Sequence, residues 1–119
     1  MPRDPDALYD ILDASRMILE YTYGVDYQDF EGNQMLADAV VRRFEIIGEA
    51  TKRLSREFRQ AHPAVPWEDI AGMRDRVIHG YDTVDWQVVW KAVQESLPEL
   101  VVILEAIIAE LDEQDKPPG

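Results

Sequence analysis

Two arginines, a histidine and a tyrosine crowd into nine residues, Met73-Arg74-Asp75-Arg76-Val77-Ile78-His79-Gly80-Tyr81. A guanidinium stays charged and its planar fork matches a phosphate, while an imidazole gains and loses a proton near neutral pH. With no cluster of carboxylates beside them to hold a cation, Arg74 and His79 suit metal-free attack of a ribose 2′-hydroxyl on its neighbouring phosphate. The same residue types also serve plainer ends, an arginine on the last carbonyls of a helix and a histidine at the surface or in the core. Spacing alone leaves both uses open. At about 100° per residue on an α-helix, Arg74 and Tyr81, seven apart, share a side, whereas His79 lies roughly 140° round from Arg74. Either Gly80 ends the helix and lets the chain swing back, or a second copy of the chain completes the site.

The elements that must position this stretch are all helical. Asp4-Pro5 reads as an N-cap and a first helical proline, after which Leu8, Ile11, Leu12, Ser15, Ile18 and Leu19 recur at helical spacing until Gly24 closes the helix. Tyr9, Tyr21 and Tyr23 are expected as packing or rim aromatics. A short polar connector, 26–33, has room for one helical turn at Tyr27 to Phe30. A long second helix is expected from Gln34 to Gln60, because Leu36, Val40, Phe44, Ile47, Thr51, Leu54 and Phe58 form one apolar stripe. Gly48 lies beside that stripe, where a neighbouring helix can come close. Glu49, on the adjoining face, has two readings: an ion pair along its own helix, or a group reaching toward Arg74 or His79.

His62 falls in a proline-bounded loop and is expected at the surface. Pro66 starts a short helix, Trp67 to Met73, with Trp67, Ile70 and Met73 inward, and glycines at 72 and 80 flank the motif as in a bent segment. Asp85 is the expected N-cap of a last helix bearing Trp86, Val89, Val93 and Leu97. Pro98 should bend or restart that helix, and the apolar run from Leu100 to Leu111 needs covering on most sides, as a self-complementary dimer contact would do. The tail from Asp112 is expected to fray. The fold class that follows is all-α, an up-down bundle of four main helices with a short extra helix before the motif, in one domain spanning 1–119.

Composition narrows the function. Cysteine is absent, which removes disulfides and thiolate chemistry and fits a reducing cytoplasm. The N-terminus lacks the apolar region of a signal peptide, and no apolar run is long enough to span a bilayer, so no membrane partner is expected. A net charge of −12 argues against a broad nucleic-acid face. The 35 residues from Arg42 to Arg76 nevertheless hold eight basic and six acidic residues, while the other 84 hold four and 18. A local phosphate site inside an acidic protein is therefore allowed, with groove-limited RNA binding and no DNA expected. The acidic surplus also suits a partner with a basic surface.

The pattern from Arg74 through His79 to Tyr81 resembles the signature of the HepT-like family of HEPN-domain ribonuclease toxins. Arg43-Phe44-Glu45-Ile46-Ile47-Gly48-Glu49-Ala50, Val65-Pro66-Trp67, Ile70-Ala71-Gly72-Met73, Val84-Asp85, Val89-Trp90 and Leu97-Pro98 occur in that family's order, so the resemblance covers roughly residues 5 to 110. It implies a toxin of a toxin-antitoxin pair. In such a pair the toxin is a homodimer in which Arg74 grips the scissile phosphate, His79 acts as acid or base, and no metal or cofactor is required. Arg76 is an additional phosphate contact or a surface charge. The resemblance further implies that Tyr81 is where a partner, a minimal nucleotidyltransferase antitoxin, attaches AMP, placing phosphates beside Arg74 and repelling RNA. Asp75 lowers the positive potential next to Arg74 and is expected to weaken RNA binding. A second reading of the chain is a non-catalytic helical module that docks such a nucleotidyltransferase and its nucleotide.

Overall fold

The computed structural model describes the backbone of residues 3–79 and 85–114 and the side chains of 4–73 and 85–114. Helix α1 (Arg3–Tyr21) leads through the short α2 (Tyr27–Glu31) to α3 (Gln34–Arg53), and the short α4 (Arg56–Ala61) leads to α5 (Trp67–His79). A final rod follows, made of α6 (Trp86–Lys91), a π-helical turn (Ala92–Ser96) and α7 (Leu97–Gln114). The architecture is all-α, with α3 in the middle between α1 and α5, and α7 against α1. No helix among the described residues is long and apolar enough to cross a membrane.

The core forms where the apolar stripes meet. Leu8, Ile11 and Ile18 of α1 are fully buried against Val40, Phe44 and Ile47 of α3, with Val93, Leu97 and Leu104 of the last rod closing the third side. Three hydroxyls sink into this core, and each donates to the carbonyl four residues earlier: Ser15 to Ile11 at 2.7 Å, Thr22 to Ile18 at 2.8 Å and Thr51 to Ile47 at 2.7 Å. An alcohol that satisfies itself on its own helix occupies an apolar site without a buried unpaired donor. Aromatic packing ties α2 to the last rod, with the Phe30 ring 4.9 Å from Trp90 and 6.0 Å from Trp86.

Several expectations are met. Gly24 has φ +74°, the left-handed conformation that ends α1. The turn expected at Tyr27 to Phe30 forms as α2, and Asp85 is the expected cap of α6, its carboxylate accepting backbone N–H bonds. The stripe from Leu36 to Phe58 faces inward throughout, Leu54 at 2% exposure and Phe58 half-buried.

Others are corrected. The long helix expected over Gln34 to Gln60 is two helices, because Leu54 turns extended (ψ 140°) and Ser55 caps α4, its Oγ accepting from the Phe58 N–H at 3.1 Å. The break is held from across the fold: the Asp4 carboxylate accepts from the Ser55 N–H at 2.7 Å and from its hydroxyl at 2.8 Å. Asp4 is accordingly no N-cap, since α1 begins at Arg3 and includes it. Tyr23 is 90% exposed and packs on nothing, while Tyr9 is a rim residue at 44%. The helix expected over Trp67 to Met73 starts where expected but does not stop at Met73. Instead α5 runs unbroken from Trp67 through Gly72 to His79, and the short helices are α2 and α4. Gly72 costs a helix only about 1 kcal/mol, less than the burial of Trp67, Ile70 and Met73 on the core contributes.

At Pro98 the rod neither stops nor restarts. The Leu97 N–H donates to the Ala92 carbonyl, five residues back. In a regular helix the proline ring would press on the carbonyl four residues before it; the wider π turn directly ahead accommodates it. The helix persists through Gln114, beyond the expected fraying point at Asp112, and residues 115–119 lie outside the described part.

Candidate functional site

Helix α5 carries the candidate residues, and it is positioned from its first turn. The chain leaves Pro66 directly into it, with the Ile70 N–H donating to the Pro66 carbonyl at 3.1 Å. Trp67, 5% exposed, is locked by its indole N–H on the His62 carbonyl at 3.0 Å. The Phe58 ring stacks on that loop, 4.5 Å from His62 and 6.0 Å from Trp67. His62 is thus half-buried and structural through its ring and carbonyl, not the free surface residue expected of the loop. No catalytic use of it is indicated.

Arg74, Arg76 and His79 all stand on the described backbone of α5. The described helix runs unbroken through His79, and Gly80, where the chain was expected to turn, lies outside the described residues. Register positions 74 and 79 are separated by about 140° around the axis and about 7.5 Å along it. A bend within 74–79 does not bring them to one side. The side chains of Arg74, Arg76 and His79 lie outside the described residues, as do Gly80 and the expected AMP acceptor Tyr81. Glu49 is exposed on α3, the helix against which α5 packs, and it is not without a partner.

The basic residues near the motif are partly spoken for. Arg42 pairs with Glu45 at 3.3 Å along α3 itself, and Arg53 pairs with Asp10 of α1, so both belong to surface ion pairs, the second tying α3 to α1. Among the described residues no group of three His, Cys, Asp or Glu side chains is arranged to hold a metal ion.

One feature had no counterpart in the sequence reading. Between the first half of α5 and the last rod runs a groove of about 550 Å³, floored by Phe44 and Ile47 of α3 and walled by Ile70 and Met73 on one side and Val88, Leu100 and Ile103 on the other. Its described charged lining is Asp69, Lys91 and Glu99. The apolar run in 100–111 hinted at an uncovered surface, but which side of that helix remained open depends on how α5 and α7 splay from α3.

Comparison with known proteins bears on the same helix. The family model described as "Ribonuclease HepT-like" matches residues 11–107. A Methanocaldococcus jannaschii protein named as a candidate RNase is 41% identical over 93 residues, covering 78% of this chain and 85% of that one. A protein of Thermococcus cleftensis named "probable ribonuclease HepT" is 43% identical over 95 residues, 80% and 86% of the two chains. A candidate RNase of Caldanaerobacter subterraneus is 43% identical over 90 residues, 76% and 80%. No solved structure matches the chain.

Proposed function

Because the chain belongs to the HepT-like ribonuclease family, we propose that it is an RNA endonuclease whose site is assembled from Arg74 and His79 of two copies at one cleft, and that it acts as the toxin of a toxin-antitoxin pair. The observation that carries the composite site is the uninterrupted α5, which holds positions 74 and 79 far apart in azimuth within one copy. A two-fold axis beside α5 lets one copy's guanidinium approach the other's imidazole.

In this reading the Arg74 guanidiniums hold the scissile phosphate and offset the charge that builds on it. One His79 imidazole takes the proton of the ribose 2′-hydroxyl as that oxygen attacks phosphorus. A protonated imidazole gives a proton to the departing 5′-oxygen. No step calls on a metal ion, so cleavage persists in chelator. Arg76 adds a phosphate contact and Glu49 orients the motif from α3. Tyr81, two residues past His79, accepts AMP from a nucleotidyltransferase antitoxin, which places new phosphates against Arg74 and keeps RNA out.

The test is expression of wild type, Arg74→Ala and His79→Ala without the partner, with growth and RNA integrity as readouts. A nuclease damages RNA only as wild type. The −12 charge favours one other reading, a non-catalytic module that docks a nucleotidyltransferase; that module gives three identical outcomes. For Tyr81, mass spectrometry of protein co-expressed with the nucleotidyltransferase should find adenylate on that residue. A tyrosine left unmodified there refutes the regulatory half alone.

A further inference from the structure

Helix α5 is held unevenly along its length. Of its described side chains, 67–73, Trp67 alone is buried; Glu68 and Asp69 are exposed, and Ile70, Ala71, Gly72 and Met73 are half-buried, with Ile70 and Met73 on the groove. A Cβ added at Gly72 meets nothing within 4 Å. We infer that Trp67 is a positioning residue for the proposed site: the bond from its indole N–H to the His62 carbonyl, at 3.0 Å, sets the pitch of α5 and thereby where positions 74 and 79 stand. This deepens the nuclease reading and rests on it.

Apolar burial holds a helix against its neighbour but is non-directional, so it resists tilt and slip weakly. A hydrogen bond weakens steeply as its angle falls toward ~120°, so the indole bond fixes the first turn of α5 in direction as well as in depth. Its acceptor is itself held. The His62 carbonyl also takes the Val65 N–H at 3.3 Å, the Trp67 N–H donates to the Val65 carbonyl at 2.9 Å, Val65 is buried, and the His62 ring lies 4.5 Å from that of Phe58. Arg74 stands seven residues beyond this anchor and His79 twelve, or about 10 Å and about 18 Å along the helix axis. A tilt of about 5° at the first turn then carries position 74 by about 1 Å and position 79 by about 1.6 Å. A shift of about 1 Å in a reacting group can cost about a hundredfold in rate. The imidazole moves further than the guanidinium, so proton transfer suffers before phosphate binding does.

The test compares wild type with Trp67→Phe, which keeps an aromatic ring and loses the donor, and with Ile11→Val, which trims a fully buried residue of the α1 seam. The full chain is used at a temperature where helical content shows all three folded, with cleavage of a fluorogenic oligoribonucleotide and the backbone amide resonances of 74–79 as readouts. Trp67→Phe should lower kcat about tenfold or more, change KM by less than about twofold, and shift the 74–79 amides. Ile11→Val should do none of these while lowering Tm. If Trp67→Phe fails to fold, replacing the indole by benzothiophene, which keeps the outline of the ring without its N–H, carries the same expectations. Unchanged kcat in an active enzyme overturns the proposal, as does a rise in KM with kcat intact, or an equal loss of kcat from Ile11→Val. Amides 74–79 left in place overturn it whatever the activity. If wild type cleaves no RNA the nuclease reading fails, and the amide shifts alone decide whether the indole bond positions the helix.

Discussion

The two flanks of α3 are built to different standards. Toward α1 the seam is closed: Leu8, Ile11, Ile18 and Val40 are fully buried, the hydroxyls satisfy themselves, and Arg53–Asp10 together with Asp4–Ser55 pin the edges. Toward α5 and the last rod the seam stays open, and Ile70, Met73, Ala92 and Ile103 stand half-buried along a groove. The residues proposed to do chemistry sit on the open flank. A closed flank supplies stability that the open flank does not need to provide, which leaves the latter free to be completed by another molecule.

The contrast is broken most sharply by Leu8→Ala, which opens a cavity in the closed seam and should cost about 2–5 kcal/mol in chemical denaturation. The same measurement on Ile103→Ala should show a much smaller loss at monomer concentrations, and equal costs would mean the flanks do not differ. On the open flank, Arg74→Ala and His79→Ala should each reduce RNA cleavage by about a hundredfold or more with Tm unchanged; a fall in Tm would make them structural residues. Asp4→Ala removes two hydrogen bonds to Ser55 and should cost about 2 kcal/mol, with protection of the Ser55 and Phe58 amides lost first in hydrogen exchange.

One substitution then has opposite signs at two glycines. Gly24→Ala strains a left-handed residue and should destabilise by about 1 kcal/mol. Gly72→Ala meets open space inside α5 and should stabilise by about 0.5–1 kcal/mol. The smallest effect is a pH dependence. Desolvation, then a hydrogen bond to Glu31 and the charges of Glu31 and Asp85, raise the Tyr27 phenol above its usual value. A folded-state pKa above the unfolded one means this stability is present below the unfolded pKa and is lost as pH rises through the folded one. Ultraviolet titration should find Tyr27 ionising above the usual phenol range, and Tyr27→Phe should remove that late transition.

Much of the architecture was legible because amphipathic periodicity is local: the α1 and α3 stripes, the Asp26 turn and the Asp85 cap needed no partner to be read. The break at Leu54 was not, since the carboxylate that holds it is 51 residues away in Asp4. Nor was the helix through Gly72, where a weak local penalty is overridden by packing on α3. The motif itself was visible as residue types and spacing. Its geometry was not, because spacing is compatible with both a bent segment and a straight one.

Residue order alone therefore determined the helical class, the Asp85 cap, the absence of thiol chemistry and the identity of the motif residues, all of which depend on neighbours within a few positions. The tertiary structure decided where helices break, that positions 74 and 79 share one unbroken helix, and that a groove runs beside it. These depend on contacts between distant segments, whose energies appear only once the chain has folded.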